Sequence, residues 1–381
     1  MFCTIFPPAI GGPATQSFNL CQALKERGIK PVVVTYGVRF TKTEPNGYPV
    51  YTFRTGYGFG PLNKILRWFI FPPYLIFILL KEKIDILHCH SASALSFLSA
   101  LIAKVVGIPR VLKFAGDWVW ETLSTYELQG KDFFEVYQKS FLSRFMTRVE
   151  KIGLGLFNVI WTPSKFRQEN IRYLLGDQAK TIIIPNCLLL KDGGYANKPT
   201  DEVVIVSANR FIPHKRISWL VEAYASVQTS KTKLILTGGG DPQEVQKVKD
   251  KIKELGLENS VRMTGIIPAA EVYQIFAGAS FYASSSLEEG FPNVFIEAMH
   301  YGLPIVSTDV GGCREMVMEG ETGFLTEPQD QKMLAEKMRI LISNVGLREK
   351  MAKNAHERSK LFNLNERVGE FIAMYKNLLQ K

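Results

Sequence analysis

The feature of this 381-residue chain that most restricts its fold is an alternation running along its length. Short apolar runs, "IKPVVVTY", "IDILHCHS", "PRVLKFAGD", "FNVIWTPS" and "KTIIIPN", are separated by segments of helical pattern. After a polar stretch at 190–202 the rhythm restarts with "VVIVSANR", "TKLILTGGG", "SVRMTG", "ASFYASS" and "LPIVSTD". Near-continuous apolar strands are buried on both faces, and strands of that type alternating with helices build parallel sheets covered by helices on both sides. The fold expected is therefore α/β, with two doubly wound Rossmann-like domains. Length agrees, because a chain of this size exceeds what one core ordinarily holds. The division expected is 1-185 for the first domain, 186-202 for a linker, 203-360 for the second domain and 361-381 for a final helix.

Composition narrows the partners. Apolar residues make up 46% and charged residues 22%, which supports two packed cores. The net charge of +10 is carried by the first half, where residues 1–180 hold 22 Lys and Arg against 12 Asp and Glu. That asymmetry points to an anionic partner, a lipid surface or a charged acceptor. Nucleic acid is not expected, because the cations are dispersed and no recognised binding motif accompanies them. Five scattered cysteines without CxxC spacing suggest neither a disulfide framework nor a zinc site, so a reducing cytoplasm is expected. The opening "MFCTIFPPAIGG" lacks a basic segment followed by a long apolar one and reads as structure rather than signal peptide.

The stretch "ILRWFIFPPYLIFILL" at 65–80 contains Pro72 and Pro73 and is shorter than the roughly 20 residues a spanning helix needs. Two readings stay open: a core helix with a proline break, or a helix dipping into a membrane interface between Lys64, Arg67, Lys81 and Lys83.

In parallel α/β sheets ligands bind beyond the carboxyl ends of the strands, so the chemistry is sought in those loops. "SANRFIPHKR" presents Arg210 and Lys215, two cations able to hold a diphosphate and stabilise the charge that grows as it leaves, with no metal required. Alone, such a pair reads as solvated loop cations. "TGGGD" allows close backbone approach at Gly238, yet no Gly-Lys-Ser/Thr follows, so it is not a P-loop; a lone glycine run reads as a tight turn.

"EEGFPNVFIEAM" poses a conflict. Asn293 is placed to cap a helix that Gly302 ends, and amides at such a start favour phosphate, whereas Glu289 and Glu297 oppose it. The conflict disappears for a ligand with hydroxyls on both sides of its phosphates, since carboxylates are strong acceptors for O–H donors. Glu289 would hold a sugar, Glu297 a ribose diol, and Arg210 with Lys215 the diphosphate between them. A nucleotide-sugar has this order of parts.

With "SSLEEGFPNVFIEAMHYGLPIVSTDVGGCRE", "ANRFIPHK" and "FPPAIGGPATQSFNLCQALKERG", the chain strongly resembles the retaining glycosyltransferases of the glycosyltransferase-4 group, GT-B in fold, over nearly its whole length. The resemblance implies two Rossmann-like domains facing a central cleft. It implies that Glu297 binds the donor ribose, that Glu289 contacts the donor sugar with the amides of Gly290 and Phe291, and that Arg210 and Lys215 bind the diphosphate. Gly11 and Gly12 would close on it from the other domain, and Ile266 and Ile267 would read the base through backbone groups. The final helix, "NLNERVGEFIAMYKNLLQ", would cross back onto the first domain. No metal or other cofactor is implied, the nucleotide-sugar being a substrate. Retention is implied through a front-face reaction assisted by the departing phosphate, with Glu289 as covalent nucleophile the sharper alternative.

Two departures from the family pattern stand out. Where relatives place a His beside the donor sugar, this chain has Ala115, Gly116 and Asp117. Asp117 is open between two readings, an acceptor ligand or base and a helix cap; His214 and His300 do not match the missing position and read as structural or surface residues. Only six residues precede Pro7, fewer than a full first strand needs.

The function expected is transfer of a hexose-type sugar from a UDP- or GDP-sugar to a saccharide or lipid-linked saccharide in cell-surface glycan synthesis. Glu289, Asp117, Arg210 and Lys215 form the expected catalytic set, at work in the cytoplasm and peripherally at the inner face of the membrane. A scaffold that binds nucleotide-sugar or membrane without turnover, and a nucleotide-sugar epimerase, are the competing readings. Trp68, Trp118 and Trp120 stack on sugar faces in one reading and pack in the other.

Overall fold

The structure is a computed structural model that describes residues 1–9, 11–54, 61–116, 119, 140–190, 194–195 and 202–380. The chain divides into two compact units, the first Met1–Leu189 with Leu364–Lys381 and the second Leu190–Asn363. Each holds one sheet of mainly parallel strands, as the alternation predicts.

In the first unit the spatial order is β3 (Thr41–Thr43), β4 (Val50–Arg54), β2 (Val33–Gly37), β1 (Phe2–Cys3), β5 (Leu87–Cys89), β6 (Arg110–Lys113), β7 (Val159–Thr162) and β8 (Thr181–Ile183). Among the described strands only β3 runs antiparallel to its neighbour. Strand β1 is two residues long, yet it joins the two halves of the sheet: Phe2 pairs with Val34 on one side and Cys89 on the other. Consecutive strand residues point to opposite faces. Leu112 and Ile160 accordingly enter a core built with the helices Pro61–Lys81, Ala94–Val105 and Phe141–Leu154, whereas Val111 and Trp161 enter one built with the helix Gly12–Glu26 and the final helix Leu364–Leu379. Leu364 donates its amide to Leu188 O at 2.9 Å, which fastens the start of that final helix to the first unit.

The helix Pro61–Lys81 runs through Pro72 and Pro73 without a break. Proline removes the amides that residues 68 and 69 would use, but Phe71, Leu75, Ile78 and Leu79 still form a buried stripe at helical spacing. The core reading of this segment holds for its inner face. Among the described residues no helix is long and apolar enough to cross a membrane.

The second unit has the order β11 (Val261–Gly265), β10 (Thr232–Thr237), β9 (Val203–Ala208), β12 (Phe281–Ala283), β13 (Ile305–Thr308) and β14 (Gly323–Thr326), all parallel. Chain order runs outward from β9 in one direction, then resumes at β12 on its other side. A crevice opens where the direction reverses, and α/β sheets bind ligands there.

The helix Asn293–His300 follows β12, and its start corrects one expectation: Pro292 is the cap residue and Asn293 the first helical residue. The fixed φ of proline makes the turn, and its carbonyl accepts the Phe295 amide at 3.1 Å. Its end is as read from sequence. Gly302, at φ +68, donates to Met299 O at 2.9 Å and Leu303 to Ala298 O at 3.0 Å, the paired bonds of a left-handed glycine stop.

Candidate functional site

Strands β9 and β12 are neighbours, so the loops that follow them leave the same edge side by side. The β9 loop carries Arg210 and then the short turn Pro213–Lys215; the β12 loop carries Ser284 to Pro292. The two are tied together by hydrogen bonds to backbone carbonyls. Leu287 donates its amide to His214 O at 2.7 Å, Ser285 donates its hydroxyl to Arg216 O at 2.8 Å, and Arg216 Nε donates to Ser285 O at 3.1 Å. This brings together two residues 74 positions apart: Lys215 Nζ donates to Glu289 Oε1 at 2.6 Å. Ser286 Oγ donates to the same oxygen at 2.8 Å, and the two charged side chains are 13% and 8% exposed. A nearly buried ion pair with a further hydroxyl on the carboxylate is a defined, low-dielectric electrostatic site.

The backbone behind Glu289 is fixed by glycines whose role the sequence reading left unassigned. After β13 the chain turns at Gly311, φ +54, where a Cβ would stand 1.6 Å from Glu289 O; at Gly312 it would stand 2.4 Å from Gly290 O. The Gly312 amide donates to Glu289 O at 3.2 Å. The signal in the sequence is a Gly-Gly pair where the chain passes from a strand to the next helix, as Gly11 and Gly12 also are.

Gly238 has a comparable task. Its φ is +122, and a Cβ would meet Asn209 O at 2.0 Å. The next residues clasp the same loop: Phe211 donates its amide to Gly239 O at 2.9 Å and Asp241 to Phe211 O at 2.8 Å. Gly238 thus shapes the path from which Arg210, exposed, projects. At Gly239 a Cβ would lie 2.9 Å from Ile266 Cγ1. Ile266 itself is 70% exposed and Ile267 half-buried, just beyond the carboxyl end of β11. Gly290 and Phe291 follow Glu289 directly, and the buried Phe291 ring meets Phe362 edge-on at 5.6 Å.

Glu297 lies on the helix Asn293–His300 and is not ion-paired like Glu289. Its Oε1 accepts a hydrogen bond from the Tyr273 hydroxyl at 3.3 Å, and Tyr273 stacks on Tyr301 with centroids 5.7 Å apart. Burial pushes the Glu297 carboxyl up to about 7, with the Tyr273 hydrogen bond opposing it. Tyr273 carries no chemical signal in the sequence, because a tyrosine on a helix reads as packing.

His214 is held down to about 4 by burial first and by neighbouring Lys215 second, so its ring is neutral at physiological pH. The ring of His300 lies against Tyr301 and His356.

In the first unit, Gly11 caps the helix Gly12–Glu26 at φ +154, and its carbonyl accepts the Thr15 amide at 3.0 Å. Gly12 is the first helical residue. Asp117, Trp118 and Trp120 lie outside the described residues. A buried polar group went unremarked in the sequence: Lys113 Nζ lies 4.5 Å from the centre of the Trp161 ring, and His88 Nδ1 is 2.6 Å from the Tyr375 hydroxyl of the final helix. Burial pushes Lys113 down to about 7.

The Glycosyltransferase Family 4 sequence family matches residues 10–189, and the family Glycosyl transferases group 1 matches residues 195–358. The chain is 24% identical over 400 residues to the phosphatidylinositol N-acetylglucosaminyltransferase GPI3 subunit of Saccharomyces cerevisiae, covering 99% of this chain and 82% of that one. It is 25% identical over 386 residues to the N-acetyl-alpha-D-glucosaminyl L-malate synthase of Bacillus anthracis, covering 98% and 96%. In fold it is similar to Anabaena HepE in complex with UDP-glucose, with a TM-score of 0.75 and 20% identity over 98% of this chain and 99% of that one.

Proposed function

The chain belongs to the glycosyltransferases of the group 1 and Family 4 type, GT-B in fold, and from that premise we propose that it moves a hexose-type sugar from a UDP- or GDP-sugar to a hydroxyl of a saccharide or lipid-linked saccharide, with retention of configuration. We assign the reaction to cell-surface glycan synthesis on the cytoplasmic side. The observation that carries the reading is the Lys215–Glu289 pair at the point where the strand order reverses, with Arg210 on the same loop as Lys215. In this reading the donor diphosphate draws Lys215 away from Glu289 and takes Arg210 as its second cation. Glu289, released, accepts hydroxyls of the sugar.

The bond from the anomeric carbon to the diphosphate oxygen breaks as the bond to the acceptor oxygen forms on the same face, and the acceptor proton passes to the departing phosphate. Arg210 and Lys215 stabilise the charge that grows on that phosphate, so the account calls for no metal or cofactor. Glu297, ionised, accepts the ribose hydroxyls, and the backbone at Ile266 and Ile267 meets the base. The GPI3 subunit and the malate synthase are named for N-acetylglucosaminyl transfer, and HepE was solved with UDP-glucose, which supports a UDP-linked donor over a GDP-linked one.

The test is calorimetric titration with UDP, GDP and ADP in EDTA, followed by transfer from the matching nucleotide-sugar to a panel of saccharide acceptors, with the new linkage read by NMR. Saturable binding of one nucleotide and a product of retained configuration are expected. Binding without transfer across the panel supports the scaffold, and a changed donor sugar in the absence of acceptor supports the epimerase.

A further inference from the structure

The helix Ala94–Val105 packs between the helices Pro61–Lys81 and Phe141–Leu154, so the three form one layer over the first sheet. Gly153 sets the closeness of that packing: a Cβ there would stand 2.3 Å from the Phe97 ring. Their inner faces share one core. Their outer faces are also apolar, which a helix covering a sheet in water does not require.

On the helix Pro61–Lys81, Phe69, Ile76, Phe77 and Leu80 recur at helical spacing and are exposed, Phe69 by 72%. Val105, at the end of the middle helix, is 82% exposed. On the third helix, Phe141, Phe145 and Ile152 repeat the pattern, Phe141 at 81% exposed. Phenylalanines this open to water mark an interaction surface, since scattered single exposures are common but aligned stripes on adjoining helices are not.

Charge identifies the partner. The three helices contain one carboxylate, Glu150, and it is buried, whereas Lys81, Lys104, Arg144, Arg148 and Lys151 are exposed. Lys81 Nζ lies 5.1 Å from the centre of the Phe77 ring, so cation and aromatic side chain occupy one place. A second copy of this chain would set cation against cation across such a face. Exposed aromatic residues bordered by cations fit the boundary of an anionic bilayer, where rings enter the headgroup region and lysine and arginine meet lipid phosphate.

We propose that the outer face of these three helices seats the first unit on an anionic lipid surface. The sequence had pointed to 65–80 alone; the helix Phe141–Leu154 supplies the other half of the surface, and its cations alternate with its phenylalanines. The proposal stands apart from the transfer reading, because it concerns lipid binding by the first unit and needs no donor.

The test is flotation of the full chain with phosphatidylcholine vesicles, with and without phosphatidylglycerol, for the unaltered protein and two variants, Phe141→Ser with Phe145→Ser, and Arg144→Glu with Arg148→Glu. Flotation only with the anionic vesicles is expected, weakened about tenfold or more in each variant, with melting temperature and UDP binding unchanged. Equal flotation with both vesicle types, flotation with neither, or variants that float like the unaltered protein would overturn it. So would sedimentation velocity that shows self-association abolished by the phenylalanine changes. Because the altered side chains are exposed, the charge variant remains a usable test if the apolar one folds poorly.

Discussion

Lys215 and Glu289 neutralise each other across 2.6 Å in a setting where neither side chain is more than 13% exposed. Removing one member of such a pair leaves the other charge uncompensated, which costs more than the pair itself contributes. Lys215→Ala and Glu289→Ala are each expected to lower stability by about 3 kcal/mol, and the double variant by clearly less than the sum. Denaturant unfolding of the four proteins measures this. Additive losses would show that the contact is energetically empty.

The same pair predicts a division of functional effects. Glu289→Gln keeps a hydrogen-bonding side chain of the same shape but removes the charge, so transfer is expected to fall about a hundredfold or more while UDP affinity changes little. Arg210→Ala should do the reverse. Its guanidinium is exposed, so the melting temperature stays constant, and loss of charge-assisted bonds to a diphosphate weakens UDP binding by roughly tenfold to a hundredfold. Titration calorimetry and initial-rate kinetics on the two variants distinguish the roles. An Arg210→Ala protein that binds UDP normally would remove that residue from the site.

How much of this was readable in advance depended on the physical kind of signal. The ten apolar runs all became strands because burial on both faces leaves a continuous mark. β3, β4 and β14 carry a weaker mark: "TKT" is an exposed edge strand, "VYTFR" interrupts its buried apolar residues with Thr52, and "GFLT" is short and opens with glycine. Glu289, Lys215 and Arg210 were legible as charged residues at strand ends. Tyr273 was not, since its hydrogen bond to Glu297 depends on how two helices dock. Gly311 and Gly312 were visible as letters, but what they make room for is the carbonyls of Glu289 and Gly290, and only coordinates show that. The outer stripe of Phe141–Leu154 was missed because amphipathic spacing does not say which of two apolar faces the core will take.

The two glycines behind Glu289 can be separated experimentally. Gly311 has φ +54 and a Cβ clash at 1.6 Å, so alanine there disturbs both conformation and contact. Gly312 has φ −83, which any residue accepts, and only the 2.4 Å approach to Gly290 O forbids a side chain. Gly311→Ala is therefore expected to cost about 2 kcal/mol or more of stability. Gly312→Ala, whose Cβ would press on the Gly290 carbonyl without a backbone conformation to strain, should cost less stability than Gly311→Ala and lower kcat about tenfold or more by shifting Gly290 and Glu289. A Gly312→Ala enzyme with full kcat would show that the loop tolerates displacement.

Glu297 should make nucleotide binding depend on pH. Its carboxyl titrates near 7 in the free protein because burial opposes the charged form, against 4.5 for an ordinary glutamate. The raised value means that stability contributed by the neutral form is fully present below pH 4.5 and is lost as pH rises through 7. Glu297→Gln, which keeps a neutral side chain at every pH, is thus expected to match the unaltered protein near pH 5 and to exceed it at pH 8 by about 2 kcal/mol. Binding runs the other way. In the proposed reading the ionised carboxylate accepts the ribose hydroxyls, and with a value near 7 only about a tenth of it is ionised at pH 6, so UDP affinity should drop roughly tenfold from pH 8 to pH 6. The phosphate of UDP titrates in part of that range, and the Glu297→Gln protein reports that contribution alone. The prediction is therefore a difference: the unaltered protein loses affinity more steeply on acidification than the glutamine variant, which binds weakly throughout. Parallel curves for the two proteins would mean that Glu297 does not hold the ribose.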